Sequence, residues 1–329
     1  MGVKCLNKYL QKKCSDLLIK KSLSELQNKK IAIDISIYLY KFSENGNCLE
    51  NFKNMFILLK QYQIIPIFVF DGKPPEEKNK VLDKRYEQKL LAKEKYEKLE
   101  KKLLALESLE FDTTDSESTL SSDSDENTNN ICNNYSHKLT TEIKLKMETE
   151  MEMQKLKKEF IIIKQSLKRD IKELITSFGF THIDATGEAD ELCSLLVHKE
   201  LAWACVSEDM DMFVYGCPRV IRNINLNNGT CVIYNTTEIL KKLNITQQDL
   251  REICILSGTD YSPNIISTNF YQIMDYYWSW RKKWQRMIDF TIWITNNTKL
   301  ISNLNEFKKI YNMFDLELIS KNYHLEINI

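Results

Sequence analysis

A chain of 329 residues, 43% hydrophobic, can bury a large core as one big domain or two modest ones. Forty-six Lys and Arg balance 46 Asp and Glu, so net charge points to no partner and only local charge can. Nine scattered cysteines without a C-x-x-C pair, no secretory leader and no apolar run of about 18 residues speak against a disulfide scaffold, a zinc site and a membrane span; a soluble intracellular protein with reduced thiols is expected.

Two short apolar runs come first. KIAIDIS (30–36) and PIFVFDG (66–72) are rich in β-branched and aromatic residues, and each carries one Asp at or near its end, Asp34 and Asp71. The intervening NFKNMFILLKQYQ has helical spacing, and strand–helix–strand implies a parallel sheet covered on both faces. From Glu76 to Glu107 the text is charged and helix-favouring, with eleven Lys and Arg against seven Asp and Glu between Lys73 and Lys102. Ser108–His137 loses periodicity and turns acidic, and a disordered insertion is expected there. Helical spacing returns over Leu139–Phe178. A helix with EADELCSLLVHKE leads to a strand read as LAWACVSEDMD. Alternation of helix and strand continues through PRVIRNI and CVIYN to the helical ITQQDLREICILSGTDY. Beyond Tyr261 lies an aromatic-basic stretch, YYWSWRKKWQRM.

Seven acids follow an apolar run or open a helix beside one: Asp34, Asp71, Glu188, Asp190, Asp209, Asp211 and Asp260. In a doubly wound sheet, ligands sit beyond the carboxyl ends of the strands, so Asp34, Asp71 and the Asp209/Asp211 pair are expected on one rim. Asp209 and Asp211 differ by two and face one side if the chain is extended, with Glu208 turned away. Glu188 and Asp190 open a helix, where the dipole tolerates negative charge, and spacing alone would equally admit Glu191. One Asp at a strand end is most often a cap or a solvated turn. Seven acids in one pocket repel each other, and a divalent cation resolves the conflict. Mg²⁺ suits hard oxygen ligands, and two ions about 3.5–4 Å apart can activate water and stabilise the leaving oxygen of a phosphodiester. Only four His are present, none inside these motifs, which argues against His-based acid–base chemistry.

In this order, MGVKCL, IAIDIS, VFDGKPP, GEADELC, SEDMD and ICILSGTDY resemble the motifs of the flap endonuclease/XPG family of structure-specific 5′ nucleases, over roughly residues 1–106 and 138–261. The resemblance implies a PIN-like α/β fold: a parallel twisted sheet flanked by helices, a helical arch and a small α-helical C-terminal part. It divides the chain into an N-terminal nuclease region with the first arch helix (1–106), the acidic insertion (107–137), the second arch helix with the internal nuclease region (138–261), and a C-terminal DNA-binding or packing region (262–329). It also implies a two-ion Mg²⁺ site, with Mn²⁺ expected to substitute, built from the seven acids; Asp190 stands where many members carry Glu. Lys78 and Arg85, seven apart and expected to share a helix face, match the family's cations at the scissile phosphate, with Lys84 as the nearby competitor. Tyr40 matches an aromatic that stacks on a base, with Tyr38 as its alternative. Gly2 is expected close to the DNA or the metal basin, unless it only permits a tight turn.

The activity implied is hydrolysis of 5′ flaps and branched DNA near single-strand/duplex junctions, in replication, repair or recombination. The alternatives are a 5′→3′ exonuclease at gaps and nicks and a non-catalytic junction binder. A monomer in the nucleus is expected (a host nucleus or cytoplasmic replication site if viral), with no sliding-clamp peptide in the terminal HLEINI. One departure concerns duplex grip. The family's Gly-rich G-I-G-P-K turn after the last Asp reads here as DYSPNIISTNFYQIM, without its glycines and lysine. Grip is therefore expected to be weaker, or rebuilt by Trp278, Arg281, Lys282, Lys283, Trp284 and Arg286. The competing expectation is that this helix packs its Trp face on the core.

Overall fold

The computed structural model describes residues 2–44, 46–114, 128–261, 268–321 and 323, and for 105–114 and 128–143 the backbone alone. Among these residues the apolar runs form seven strands: β1 (Lys20–Ser22), β2 (Lys30–Asp34), β3 (Ile65–Phe70), β4 (Thr181–Asp184), β5 (Ala204–Val206), β6 (Arg219–Asn225) and β7 (Thr230–Asn235). They join one sheet in the order β1-β7-β6-β5-β2-β3-β4. Five neighbours, β6 to β4, run parallel, whereas β7 pairs antiparallel with both β6 and β1. The expected alternation of helix and strand thus stops at β6. Residues 226–229 are too few for the crossover that a parallel neighbour requires, so they close a hairpin.

Among the described residues the helices are α1 (Leu6–Lys13), α2 (Ile35–Ser43), α3 (Cys48–Gln61), α4 (Asn79–Thr114), α5 (Thr128–Glu159), α6 (Gln165–Ser177), α7 (Ala189–His198), α8 (Asp211–Tyr215), α9 (Thr236–Leu243), α10 (Gln247–Ser257), α11 (Phe270–Lys283), α12 (Phe290–Asn297), α13 (Leu304–Met313) and α14 (Leu316–Ser320). Strand residues alternate between two cores, as a two-residue period demands. Ile31, Ile33, Phe68, Phe70, Ala204 and Val206 pack with Leu39, Phe52, Phe56 and Ile171 of α2, α3 and α6. Ala32, Ile67, Val69 and Cys205 face the other way, against Leu192, Met212, Ile253 and Phe270 of α7, α8, α10 and α11. Burial on both faces explains why these strands read as continuous apolar runs.

The chain forms two compact units, residues 1–81 with 163–329, and residues 82–162. The second unit is the helical arm of α4 and α5, and its Lys89 Nζ donates to the Ile161 carbonyl (3.1 Å) while Tyr96 packs edge-on to Phe160. Of the acidic segment 107–137, residues 107–114 and 128–137 are helical continuations of α4 and α5, and 115–127 lie outside the described residues. The boundary expected at 261/262 does not separate two bodies. Phe270, Tyr277, Phe290 and Phe314 are buried in the same core as Leu192 and Met212, so the C-terminal helices complete the sheet's second layer.

Candidate metal centre

Strands β5, β2 and β3 are adjacent and parallel, so their carboxyl ends lie side by side. β2 ends on Asp34, which turns the chain into α2 by accepting from Ser36 N (2.9 Å) through Oδ1. β3 ends one residue before Asp71. Asp71 Oδ1 accepts from Ala189 N (2.8 Å) and Oδ2 from the Ser36 hydroxyl. Asp71 thereby caps α7 from across the rim, leaving Glu188, the N-cap residue, with its side chain free of that duty. The chain after Asp71 is held by Gly72 N donating to Gly187 O (2.8 Å), and a Cβ at Gly72 would stand 2.0 Å from Ala185 O, so only glycine fits.

The VSEDMD segment differs from its expected form. β5 stops at Val206, and two side-chain turns follow: Ser207 Oγ accepts from Asp209 N (3.1 Å), and Asp209 Oδ1 accepts from Asp211 N (3.0 Å). Ser, Asp and Asn compete for backbone donors in this way, and here they end the strand. Asp211 opens α8, so a turn rather than extended alternation sets Asp209 and Asp211 together. Glu208 leaves the rim for Arg222 (3.2 Å) and Asn223 N. Ser207 Oγ also donates to Asp190 Oδ1 (3.0 Å), tying α7 to the same turn. Gly2 sits against this pair: its φ is +74°, and a Cβ would meet Asp209 Oδ1 at 2.2 Å and Asp211 Oδ1 at 2.6 Å.

Asp34, Asp209 and Asp211 are buried. Burial, with the Asp71 charge next in importance, lifts Asp34 to about 8. Burial also raises Asp190, followed by the charges of Asp34, Asp209 and Asp71; Asp211 rises through burial and the charges of Asp209 and Asp260. Asp34, Asp190 and Asp211 are each raised by neighbouring acids, so these three belong to one electrostatic unit. Asp211 Oδ1 is buried without a hydrogen-bond partner. An orphaned carboxylate oxygen amid repelling acids is the environment a hard divalent cation relieves. Among the described residues, no three His, Cys, Asp or Glu side chains are already gathered to hold one ion. Asp71 and, below, Glu188 accept hydrogen bonds from protein donors. Mg²⁺ keeps several waters and needs only one or two direct carboxylates, so the donor set fits it.

Lys78 closes a 3₁₀ turn, Glu76–Lys78, that precedes α4. The seven-residue interval to Arg85 is therefore not one unbroken α-helical face; Pro75, held extended at ψ 154°, starts the helix with a tighter turn. Lys78 Nζ donates to Glu188 Oε1, and Tyr261 OH donates to Glu188 Oε2. Burial disfavours the Lys78 charge, but Glu188, then Asp260 and Asp190, outweigh it and raise the pKa, so the ammonium persists. Arg85 and Lys84 lie on α4 in the 82–162 unit. Tyr40 is exposed on α2, whereas Tyr38 is buried beside Phe42.

Three participants lie inside the motifs yet were not singled out from the sequence: Ser36, Ser207 and Tyr261. Tyr261 is the most informative, since its ring also lies 5.6 Å from Lys78 Nζ. Its only sequence signal was adjacency to Asp260. Tyr261→Phe deletes one charge-assisted hydrogen bond to Glu188, about 1.5–3 kcal/mol. Any Mg²⁺-dependent cleavage is expected to fall about tenfold in kcat with little change in KM; a KM rise at constant kcat would assign Tyr261 to DNA binding instead.

Acids gathered at the carboxyl rim of a mostly parallel sheet, with a lysine among them, define the class of α/β proteins that hold divalent cations for phosphate chemistry. The chain belongs to the XPG family of nucleases: the XPG N-terminal domain matches residues 1–92 and the XPG I-region residues 179–260, together more than half of the chain. Flap endonuclease 1 of Methanococcus aeolicus is 28% identical over 257 residues, 73% of this chain and 65% of that one. A probable RAD2-like endonuclease, 369L of Invertebrate iridescent virus 6, is 27% identical over 80% of this chain and 68% of its own. The chain thus spans just under two thirds of the first relative's length. In fold it is similar to the catalytic core of Rad2 in complex with DNA substrate, with a TM-score of 0.58 at 18% identity over 95% of this chain and 86% of that one. The Holliday junction-resolving enzyme GEN1, solved with product DNA and a Mg²⁺ ion, aligns at 0.52 and 16% identity over 88% of this chain and 55% of its own.

Proposed function

We propose that this chain is a Mg²⁺-dependent endonuclease that cuts branched DNA near single-strand/duplex junctions, with 5′ flaps as the preferred substrate. The observation that carries the reading is the set of mutually repelling buried acids, Asp34, Asp209 and Asp211, beside an ammonium held by Glu188. Divalent cations on this rim would supply Lewis-acid activation of water and of the phosphoryl oxygens. Asp34, Asp71, Asp190, Asp209 and Asp211 would hold them, with Glu188 and Asp260 alongside. Two ions are the natural number for seven acids. Lys78, charged and within the rim, offers a cation to the scissile phosphate once Glu188 gives it up. Tyr40, exposed on α2, offers a face to a base.

The test is cleavage of 5′-labelled flap, gapped and nicked duplexes with Mg²⁺, comparing wild type with Asp71→Asn and Asp209→Asn. A junction-length product lost in both variants is expected. A ladder of short products from gaps and nicks would replace the flap reading with 5′→3′ exonuclease action, and flap binding without cleavage would make the chain a junction binder. Cleavage by both variants at the wild-type rate would remove the assigned metal site.

A further inference from the structure

The helix α11 divides its aromatic residues between two environments. Phe270, Tyr277 and Trp280 are buried, and Trp280 Nε1 donates to the Ile288 carbonyl (2.8 Å). Trp278, Trp284 and Met287 are exposed, at 38%, 44% and 77%. The expected packing of the Trp face on the core therefore holds for one tryptophan of α11 and its C-cap and not for the other two. The exposed pair is not on a loose end. Trp284 N donates to Trp280 O (2.7 Å), Met287 N to Trp284 O (2.8 Å) and Ile288 N to Trp284 O (3.2 Å), so the turn after α11 is a hydrogen-bonded ledge anchored by buried Trp280.

Cations line that ledge. Lys282, Lys283 and Arg286 are exposed and make no hydrogen bond or ion pair among the described residues. Arg281 is different: its guanidinium lies 5.2 Å from the Trp278 ring, donates to Asn244 O and serves packing. The helix dipole favours cations in the last turn, which accounts for Lys282 and Lys283 but not for Arg286 beyond the helix. Nor does it account for two tryptophans that each leave more than a third of their surface exposed. The exposed acids flanking the stretch are Asp275 and Asp289. Unpaired cations beside partly exposed aromatic rings on a hydrogen-bonded backbone complement a polyanion that also carries flat apolar faces.

We infer that the ledge of Lys282, Lys283, Trp284 and Arg286 is a docking surface for a DNA strand, taking phosphates on its cations and a base or sugar face on Trp284. The inference rests on the nuclease reading and deepens it by assigning a second contact outside the acidic rim. Loss of three phosphate contacts lowers the slope of log K against log salt by roughly 2–3, and loss of one stacking face weakens binding at least about fivefold.

The measurement is fluorescence anisotropy of a labelled flap substrate with Ca²⁺ replacing Mg²⁺, over a salt series, for wild type, Trp284→Ala, Trp284→Phe and the triple Lys282→Ala/Lys283→Ala/Arg286→Ala. Far-UV circular dichroism and melting temperature establish that each variant folds. The expected result is a shallower salt slope for the triple variant, weaker binding for Trp284→Ala and recovery in Trp284→Phe. Wild-type affinity and slope in the triple variant and in Trp284→Ala would overturn the ledge while leaving the nuclease reading intact. Absence of DNA binding by the wild-type protein would instead remove that reading. Vesicles of phosphatidylserine and phosphatidylcholine form the other arm: ledge-dependent vesicle binding with unchanged DNA binding overturns the proposal in favour of a membrane surface.

Discussion

Asp211→Asn is expected to stabilise the metal-free protein while lowering cleavage by about two to three orders of magnitude. In the wild-type chain this carboxylate is buried, has one oxygen without a partner, and is pushed up by burial and by Asp209 and Asp260. An amide keeps the shape and removes a charge that Asp190 also feels. Relief of repulsion should raise the melting temperature in EDTA by about 1–2 °C, the equivalent of about 1 kcal/mol for a chain of this size. The same change removes an oxygen proposed to hold a cation, and cleavage should fall about 10²–10³-fold, the usual cost of losing one electrostatic element of a catalytic site. Calorimetry in EDTA and single-turnover cleavage in Mg²⁺ measure the two effects separately. A lower melting temperature would make Asp211 a structural acceptor, and undiminished cutting would take it out of the site.

Most of this basin was legible in the sequence because its acids sit at the ends of apolar runs, where parallel strands put them on one rim. Asp34 and Asp71 follow from strand position alone. Asp209 and Asp211 were brought to the right place by the wrong local argument. Two-residue alternation assumed a strand through Asp211, whereas Ser207 and Asp209 capture backbone donors and end it at Val206. Competition between side-chain and backbone acceptors has no periodicity to read. Lys78 fell in a 3₁₀ turn because a Pro-Pro pair precedes it, and only its family match identified it. Tyr261 stayed hidden for a different reason: a buried aromatic beside an acid looks like core until the partner of its hydroxyl is known. The C-terminal helices were divided from the nuclease region where the family motifs end, yet Phe270 and Phe314 share its core. The end of a motif run marks where the shared residues stop, not which apolar faces meet.

The second large effect is a coupling between pH and Mg²⁺ in thermal stability. Asp34 has an ordinary value of 3.8 and rises to about 8 in the fold, chiefly through burial and then through Asp71. Asp190 and Asp211 move in the same direction. Folded protein thus binds protons more tightly than unfolded chain. Stability from these groups is fully present below about pH 4 and is lost as pH rises through about 8, the reverse of an ordinary ion-paired Asp. Mg²⁺ competes for the same oxygens and requires them deprotonated, so its binding releases protons and strengthens with pH. In EDTA, the melting temperature should therefore be lower at pH 8 than at about pH 6. Saturating Mg²⁺, at about 100 times its Kd, adds about 2.7 kcal/mol, or on the order of 4 °C, and this gain should shrink at about pH 6 as protons displace the ion. Thermal melts at the two pH values, with and without Mg²⁺, give four numbers that decide the matter. An EDTA melting temperature that rises between about pH 6 and pH 8, or a Mg²⁺ gain equal at both, would mean that the acids are not a mutually repelling, cation-binding set.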